Sequence, residues 1–80
     1  MDYYDKLISN IDKIHTTELG IERIKRNLKI NTDVVKYLKK KIISEKCTIN
    51  KKGKNYYCKI DNMIITINSY NYCIITVHKI

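Results

Sequence analysis

Apolar residues recur at helical spacing in the first half of the chain and at alternate positions in the second half. The breaks before the second and third helical stripes, His15–Glu18 and Asn31–Asp33, contain residues that favour helix N-caps. After Ile43 the period changes to two, which is typical of strands with one buried face. The pattern predicts helices over about 2–14, 17–28 and 33–43 and strands over about 46–49, 54–60, 63–68 and 72–79.

Turn residues predict how the strands pair. Asn50–Gly53 is expected to turn between the first two strands, since glycine accepts positive φ. Asp61 and Asn62 both tolerate left-handed backbone, which favours a two-residue hairpin loop. That loop predicts the pairs Ile60–Met63, Cys58–Ile65 and Tyr56–Ile67, and a three-residue loop at 69–71 predicts Ile67–Cys73, Ile65–Ile75 and Met63–Val77. The two turns agree on one apolar face, so we expect the helices to cover it.

The opposite face of the predicted sheet is polar and aromatic. It is expected to carry Asn55, Tyr57, Lys59, Ile64, Thr66, Asn68, Tyr72, Ile74, Thr76 and His78. Rings, hydroxyls and cations in this mixture are typical of surfaces that bind nucleotides. The expected fold is one α+β domain over residues 1–80, with two to three N-terminal helices packed on one face of a three- to four-stranded antiparallel sheet.

The formal net charge of +8, from 16 basic and 8 acidic residues, is the strongest signal in the composition. A positive field attracts polyanions, so RNA, a ribonucleoprotein or an acidic neutralising protein is the expected partner. A composition rich in Lys, Ile, Asn and Tyr also arises in an AT-rich genome without selection for binding. A chain of 80 residues buries only about 60% of its unfolded surface, so any site is expected on an open face or in a shallow groove.

Other protein classes are disfavoured by what the chain lacks. No apolar run approaches the roughly 20 residues of a membrane span, and the first residues do not read as a signal peptide, so a cytoplasmic protein is expected. Cys47, Cys58 and Cys73 are widely spaced and form no zinc motif. We expect buried thiols, no metal and no cofactor.

Two histidines are the candidate acid–base groups. His78 and His15 could transfer the protons needed to cleave RNA without a metal. Each also has an ordinary reading, as a surface histidine or as a group beside a helix end. The other expected site residues are Lys54 and Lys59 for phosphate charge, Lys52 and Tyr57 for binding, and Thr66, Asn68 and Thr76 for orienting the substrate. The basic turn that holds Lys52 and Lys54 could equally be a solvated hairpin loop.

Three blocks, HTTELGIERIKRN (15–27), KKGKNYY (51–57) and TINSYNYCIITVHK (66–79), resemble a family of short bacterial proteins known only as a domain of unknown function. The resemblance covers nearly the whole chain. It implies that the blocks belong to one domain, and it implies no activity.

The closing segment IITVHK is similar, more loosely, to the barnase/EndoU/colicin/RelE group of toxin ribonucleases. The resemblance implies that Thr76 and His78 occupy terminal-strand catalytic positions, with His15 and Lys54 as partners from a helix and a loop. It implies metal-independent RNA cleavage on an open sheet face, and rests on fold-level analogy.

The sequence therefore favours a small toxin-type endoribonuclease. The alternative is a non-catalytic basic module, from a phage or mobile element, that binds RNA, a ribonucleoprotein or an acidic protein. A third possibility is a structural homodimer that buries the open face between two copies.

Overall fold

Three short helices precede a four-stranded sheet in the computed structural model, which describes residues 3–80. The elements are α1 (Tyr3–Ser9), a 3₁₀ turn (Ile11–Lys13), α2 (Glu18–Leu28), α3 (Val34–Ile42), β1 (Thr48–Lys52), β2 (Asn55–Ile60), β3 (Met63–Asn68) and β4 (Ile74–Lys79). All neighbouring strands are antiparallel and follow chain order. The predicted α+β fold with N-terminal helices and an antiparallel sheet is confirmed. None of the helices within 3–80 has the length and apolarity needed to cross a membrane.

The first helix is shorter than its apolar stripe predicts. The expected helix began at residue 2, which lies outside the described residues, and ran to residue 14, whereas α1 ends at Ser9. The side-chain amide of Asn10 donates to the Lys6 carbonyl at 2.8 Å and satisfies one of the last carbonyls of α1. Ile14 is nevertheless buried, because the 3₁₀ turn returns it to the core.

The N-termini of α2 and α3 are each capped by a side chain. Thr17 Oγ1 accepts the backbone N–H of Gly20 at 3.0 Å, and Asp33 Oδ1 accepts that of Lys36 at 3.1 Å. The space at position 20 also explains why glycine occurs there. A Cβ at this position would overlap the hydroxyl of Thr16, and that hydroxyl donates to the Ile74 carbonyl at 3.2 Å.

The β2–β3 hairpin has the predicted turn and register. Asp61 and Asn62 have φ of 51° and 60°, as a two-residue type I′ loop requires. The pairs Ile60–Met63, Cys58–Ile65 and Tyr56–Ile67 form as expected.

The β1–β2 turn begins three residues later than expected and is shorter. Gly53, with φ of 62°, and Lys54 form a two-residue loop closed by the Lys52–Asn55 pair. β1 therefore ends at Lys52, and residues 50–52, expected in the turn, are paired with β2.

The predicted β3–β4 register is wrong by two residues from Met63 to Thr66 and by one residue at Ile67. Ile65 lies opposite Val77 and Met63 opposite Lys79, while Ile67 lies opposite Ile74. Ile75 is the extra residue of a β-bulge and is 50% exposed, although it was predicted in the core.

Hydrogen bonds in the β3–β4 loop account for this shift. Asn68 Oδ1 accepts the N–H groups of Tyr70 at 2.8 Å and Asn71 at 3.1 Å, and Asn71 Oδ1 accepts that of Cys73 at 2.9 Å. The loop consequently continues to Tyr72, whose φ is 59°. Tyr72 was predicted on the open side, but its ring is buried and lies 6.4 Å from the ring of Tyr56. Ile74, also predicted on the open side, is buried.

A single hydrophobic core lies between the helices and one face of the sheet. The helices contribute Leu7, Ile24, Leu28, Val34, Leu38 and Ile42, and the sheet contributes Tyr56, Cys58, Ile60, Met63, Ile65, Ile67, Ile74 and Val77. The predicted core face of β2 and β3 is thus confirmed, and the opposite face of the sheet is left without helices.

The outer edge of β4 is covered by the segment that precedes α2 and by α2 itself. His15 makes a parallel bridge to Cys73: its N–H donates to the Tyr72 carbonyl at 3.2 Å, and its carbonyl accepts the N–H of Ile74 at 2.8 Å. Farther along the strand, Asn27 Nδ2 donates to the Val77 carbonyl at 2.9 Å. Polar groups that an edge strand would expose are satisfied in this way.

We expect Asn27→Ala to lower the free energy of unfolding by about 1 kcal/mol, because the Val77 carbonyl loses its donor. The loss should appear even though alanine favours helix more than asparagine does. Urea denaturation measures it. Arg26→Ala, on the same helix and exposed, is the control and should stay within about 0.5 kcal/mol of the parent. Equal stabilities for the two variants would contradict the role of Asn27.

Candidate nucleic-acid interface

The face of the sheet that points away from the helices carries three rows of side chains, which we call the open face. The row nearest the β2–β3 turn is Thr48–Lys59–Ile64–His78, the middle row is Asn50–Tyr57–Thr66–Thr76, and the row nearest the other two hairpin loops is Lys52–Asn55–Asn68. Each row follows directly from the strand register, since residues opposite each other in paired strands share a face.

The middle of the open face is packed and its ends are accessible. Thr66 is only 6% exposed although no helix lies over it, because it sits in a central strand between Tyr57 and Thr76. Lys59 and His78 are exposed on either side of the half-buried Ile64. Strands lie about 4.8 Å apart, so the backbones of Lys59 and His78 are separated by about 10 Å.

The strands contain no carboxylate. The eight Asp and Glu residues of the chain all fall in the helices, the connections and the N-terminal residues, and Asp61 directly follows β2 in the β2–β3 turn. Lys52 and Lys59 therefore have no acidic neighbour within their rows. An anion that approaches this face meets positive charge and uncharged hydrogen-bonding groups.

Most of the predicted site residues share this face. Seven of the nine lie in its rows, namely Lys52, Tyr57, Lys59, Thr66, Asn68, Thr76 and His78. The two-residue register error left their side unchanged, because an even shift preserves the alternation of side chains. His15 and Lys54 are the two that do not belong to it.

The acid–base pair of His15 and His78 does not fit this geometry. His15 is bridged to Cys73, five residues before His78 on β4, so the two backbones lie about 16 Å apart along the strand. The ring nitrogen Nδ1 of His15 lies 2.8 Å from the Lys13 carbonyl, which holds the imidazole toward its own segment. Two groups so placed cannot act together on one phosphodiester.

Lys54 lies at the end of the sheet opposite His78. It occupies the β1–β2 turn with an exposed side chain, and its carbonyl accepts the N–H of Ser69 at 2.8 Å. This bond joins the two hairpin loops. Lys54 could therefore contact an anion that is bound beside Lys52. It is too far from His78 to take part in a reaction there.

Asn68 has a structural task in place of the predicted one. Its carbonyl oxygen Oδ1 accepts two backbone N–H groups of its own loop, those of Tyr70 and Asn71. Only the amide nitrogen is left for another molecule. Asn68 thus positions the β3–β4 loop more than it can orient a substrate.

The sequence analysis missed Thr48 and Asn50, which complete two of the rows. Asn50 was overlooked because the predicted first strand ended at residue 49. Thr48 lay inside that strand, but its pairing with the second strand was not worked out. Placing Gly53 at the first position of a two-residue hairpin loop would have found them, since that loop pairs Asn50 with Tyr57 and Thr48 with Lys59.

No cysteine belongs to a row of the open face, and burial is confirmed for two of the three thiols but not for Cys73. Cys47 and Cys58 are buried, while Cys73 is partly exposed. A hydrogen bond between the thiols lowers the pKa of Cys47, and the same bond together with burial raises the pKa of Cys58. Within residues 3–80 no three His, Cys, Asp or Glu side chains cluster as metal ligands would.

These features define a small basic α+β domain with one bare, carboxylate-free sheet face. The chain belongs to a family described as proteins of unknown function (DUF3781), whose sequence profile matches residues 8–78. The resemblance to an uncharacterised family is thereby confirmed. No curated protein and no solved structure matches the chain. The similarity to toxin ribonucleases gains no support from these comparisons and stays a prediction.

The register of the open face can be tested by a double-mutant cycle. Ile64 and His78 lie directly opposite, so Ile64→Glu combined with His78→Lys should show a favourable coupling of about 0.2–1 kcal/mol in urea denaturation. Ile64→Glu combined with Thr76→Lys is the control and should couple less, since these positions are diagonal neighbours. The reverse order would support the register expected from the loop at 69–71.

Proposed function

We propose that the protein is a binding module for single-stranded RNA, and that RNA lies across the open face without being cleaved. One observation carries the proposal: the lysines, the tyrosine and the hydroxyl and amide groups of three rows share a face that has no carboxylate. RNA combines phosphates that need cations with unstacked bases that need flat rings and hydrogen-bond partners.

The shape of the face favours a single strand. A four-stranded sheet is broad and shallow, and it offers neither a helix nor a ribbon that could enter the groove of a duplex. Bases splayed from a single strand can instead lie on Tyr57, which is partly exposed in the middle row. One ring stacks one base, so we expect modest affinity and strong salt dependence.

The number of histidines on the face favours binding over catalysis. His78 is exposed at one end of the face, whereas His15 lies about 16 Å farther along the edge of β4. Cleavage by proton transfer needs one group to accept the proton of the 2′-hydroxyl and another to protonate the leaving oxygen. Only one of the two histidines is near the proposed RNA path.

Metal-independent endoribonuclease activity is the second candidate, and one arrangement favours it. Lys59 and His78 occupy the same row on either side of Ile64. A phosphate above Ile64 would have an ammonium on one side to stabilise developing charge and an imidazole on the other to move a proton. In this mechanism His78 transfers protons either without a second protein group or together with a group of the RNA itself. Thr76 helps to orient the RNA.

The binding proposal is tested by fluorescence anisotropy with a labelled oligouridylate of about ten nucleotides in EDTA over a range of salt concentrations. We expect Lys52→Gln with Lys59→Gln to weaken binding and to reduce the slope of log K against log salt by about 1.4, since two phosphate contacts are lost. Tyr57→Leu should weaken binding by roughly tenfold, the effect of about 1.4 kcal/mol of stacking.

The control variant loses two positive charges on the helical side of the molecule, away from the open face. Lys6 and Lys29 are exposed on the helical side, so Lys6→Gln with Lys29→Gln should bind within about twofold of the parent. Equal binding by both double variants, or a preference for duplex, would contradict the open-face site.

Incubation with unlabelled RNA separates binding from cleavage. Intact RNA with the parent and with His78→Gln supports the binding module. Cleavage that disappears in His78→Gln would support the ribonuclease. Failure to bind any RNA, together with a dimer in sedimentation, would favour the homodimer, and capture of an acidic protein in its place would favour a protein partner.

A further inference from the structure

A groove of about 570 Å³ lies between the second half of α3 and the β2–β3 turn, apart from the open face. Its lining includes Tyr37, Lys40, Lys41, Ser44, Lys46 and Asp61. No residue of the three open-face rows contributes to it. A volume of this size is within the range of small-molecule sites.

One cation of the groove is held in place by two contacts. The ammonium of Lys41 forms an ion pair with Asp61 and lies 5.4 Å from the centre of the Tyr37 ring. The hydrogen bond to the carboxylate raises the pKa of Lys41, so this side chain is charged at neutral pH. A lysine that is already positioned loses less conformational freedom when it binds an anion.

The other two lysines of the groove are free to bind. In the described part of the chain Lys40 and Lys46 are exposed and have no ion-pair partner. Three ammonium groups therefore face one carboxylate, and that carboxylate is already engaged by Lys41. The groove has an excess of positive charge that the protein itself does not neutralise.

The groove continues toward the start of α3. A second depression, of about 250 Å³, shares Tyr37 and Lys40 with the first and adds Thr32, Asp33 and Lys36. Across both depressions four lysines face two carboxylates; Asp61 pairs with Lys41, and Asp33 accepts the backbone N–H of Lys36. Lys36 and Lys40 are one helical turn apart, about 6 Å along the axis. The lysines thus form a track along the outer side of the helix beside an aromatic ring.

We propose that this α3 groove binds the phosphate groups of a nucleotide, either free or within a nucleic-acid strand. All the cations that line the groove are lysines, and ammonium groups bind phosphate as point charges. The groove also extends beyond the volume of one phosphate, and Tyr37 borders both depressions, where it can contact a base or sugar. The site does not depend on RNA binding by the open face.

The test is a titration of the ¹⁵N-labelled full chain followed by backbone amide shifts. The probes are inorganic phosphate, adenosine monophosphate and the ten-nucleotide oligouridylate. We expect the mononucleotide to shift amides of residues 37–46 and 60–61 at lower concentration than inorganic phosphate does. Lys40→Gln with Lys46→Gln should raise its dissociation constant about tenfold, and Lys6→Gln with Lys29→Gln should leave it within twofold.

The outcomes separate this site from the open face. Shifts at 37–46 with the mononucleotide support a site for free nucleotides, and shifts there with the oligonucleotide alone support contact with a strand. In either case Lys52→Gln with Lys59→Gln should leave the groove shifts intact, even if the open face binds nothing. Three results would overturn the proposal. Residues 37–46 could show no amide shifts with any probe, the groove and control variants could have equal effects, or phosphate and the mononucleotide could bind equally. Circular dichroism checks that each variant is folded.

Discussion

Burial of one face of the sheet by the helices is the constraint on which the rest of the structure depends. Side chains alternate along each strand, so packing Tyr56, Cys58 and Ile60 against the helices directs Asn55, Tyr57 and Lys59 to the other side. The two sides cannot be exchanged without exposing the core. Apolar packing on the reverse of the sheet therefore determines on which side each polar residue of the open face lies.

This constraint explains why the sequence could predict much of the fold and most of the open face. The β2–β3 hairpin followed from Asp61 and Asn62, because few residues accept two successive positive φ values. The β3–β4 register could be wrong by two residues and still leave Thr76 and His78 on the correct side. Only an odd shift would have moved them, and an odd shift would have put Val77 into solvent.

The parts that could not be predicted depend on contacts between distant segments or on side chains that act on the backbone. Nothing in the alternation around Asn68 shows that its amide oxygen would hold the following loop, or that Tyr72 would adopt a positive φ to stack on Tyr56. His15 lies beside Cys73 because the chain before α2 pairs with the edge of β4, a contact between residues 58 apart. Local patterns contain no information on such pairing. The distance between His15 and His78 could consequently not be predicted from the sequence.

Asp61 meets two unrelated demands at one position. It needs a side chain that tolerates the left-handed region, and it needs a carboxylate that reaches Lys41 on α3. Asparagine would satisfy the backbone but carry no charge, glutamate would carry the charge but strain the turn, and glycine would ease the turn and leave Lys41 alone. An Asn-Gly turn, the ordinary route to a stronger hairpin, would therefore remove the ion pair with Lys41. Local conformational preference and long-range electrostatics together restrict this site to aspartate.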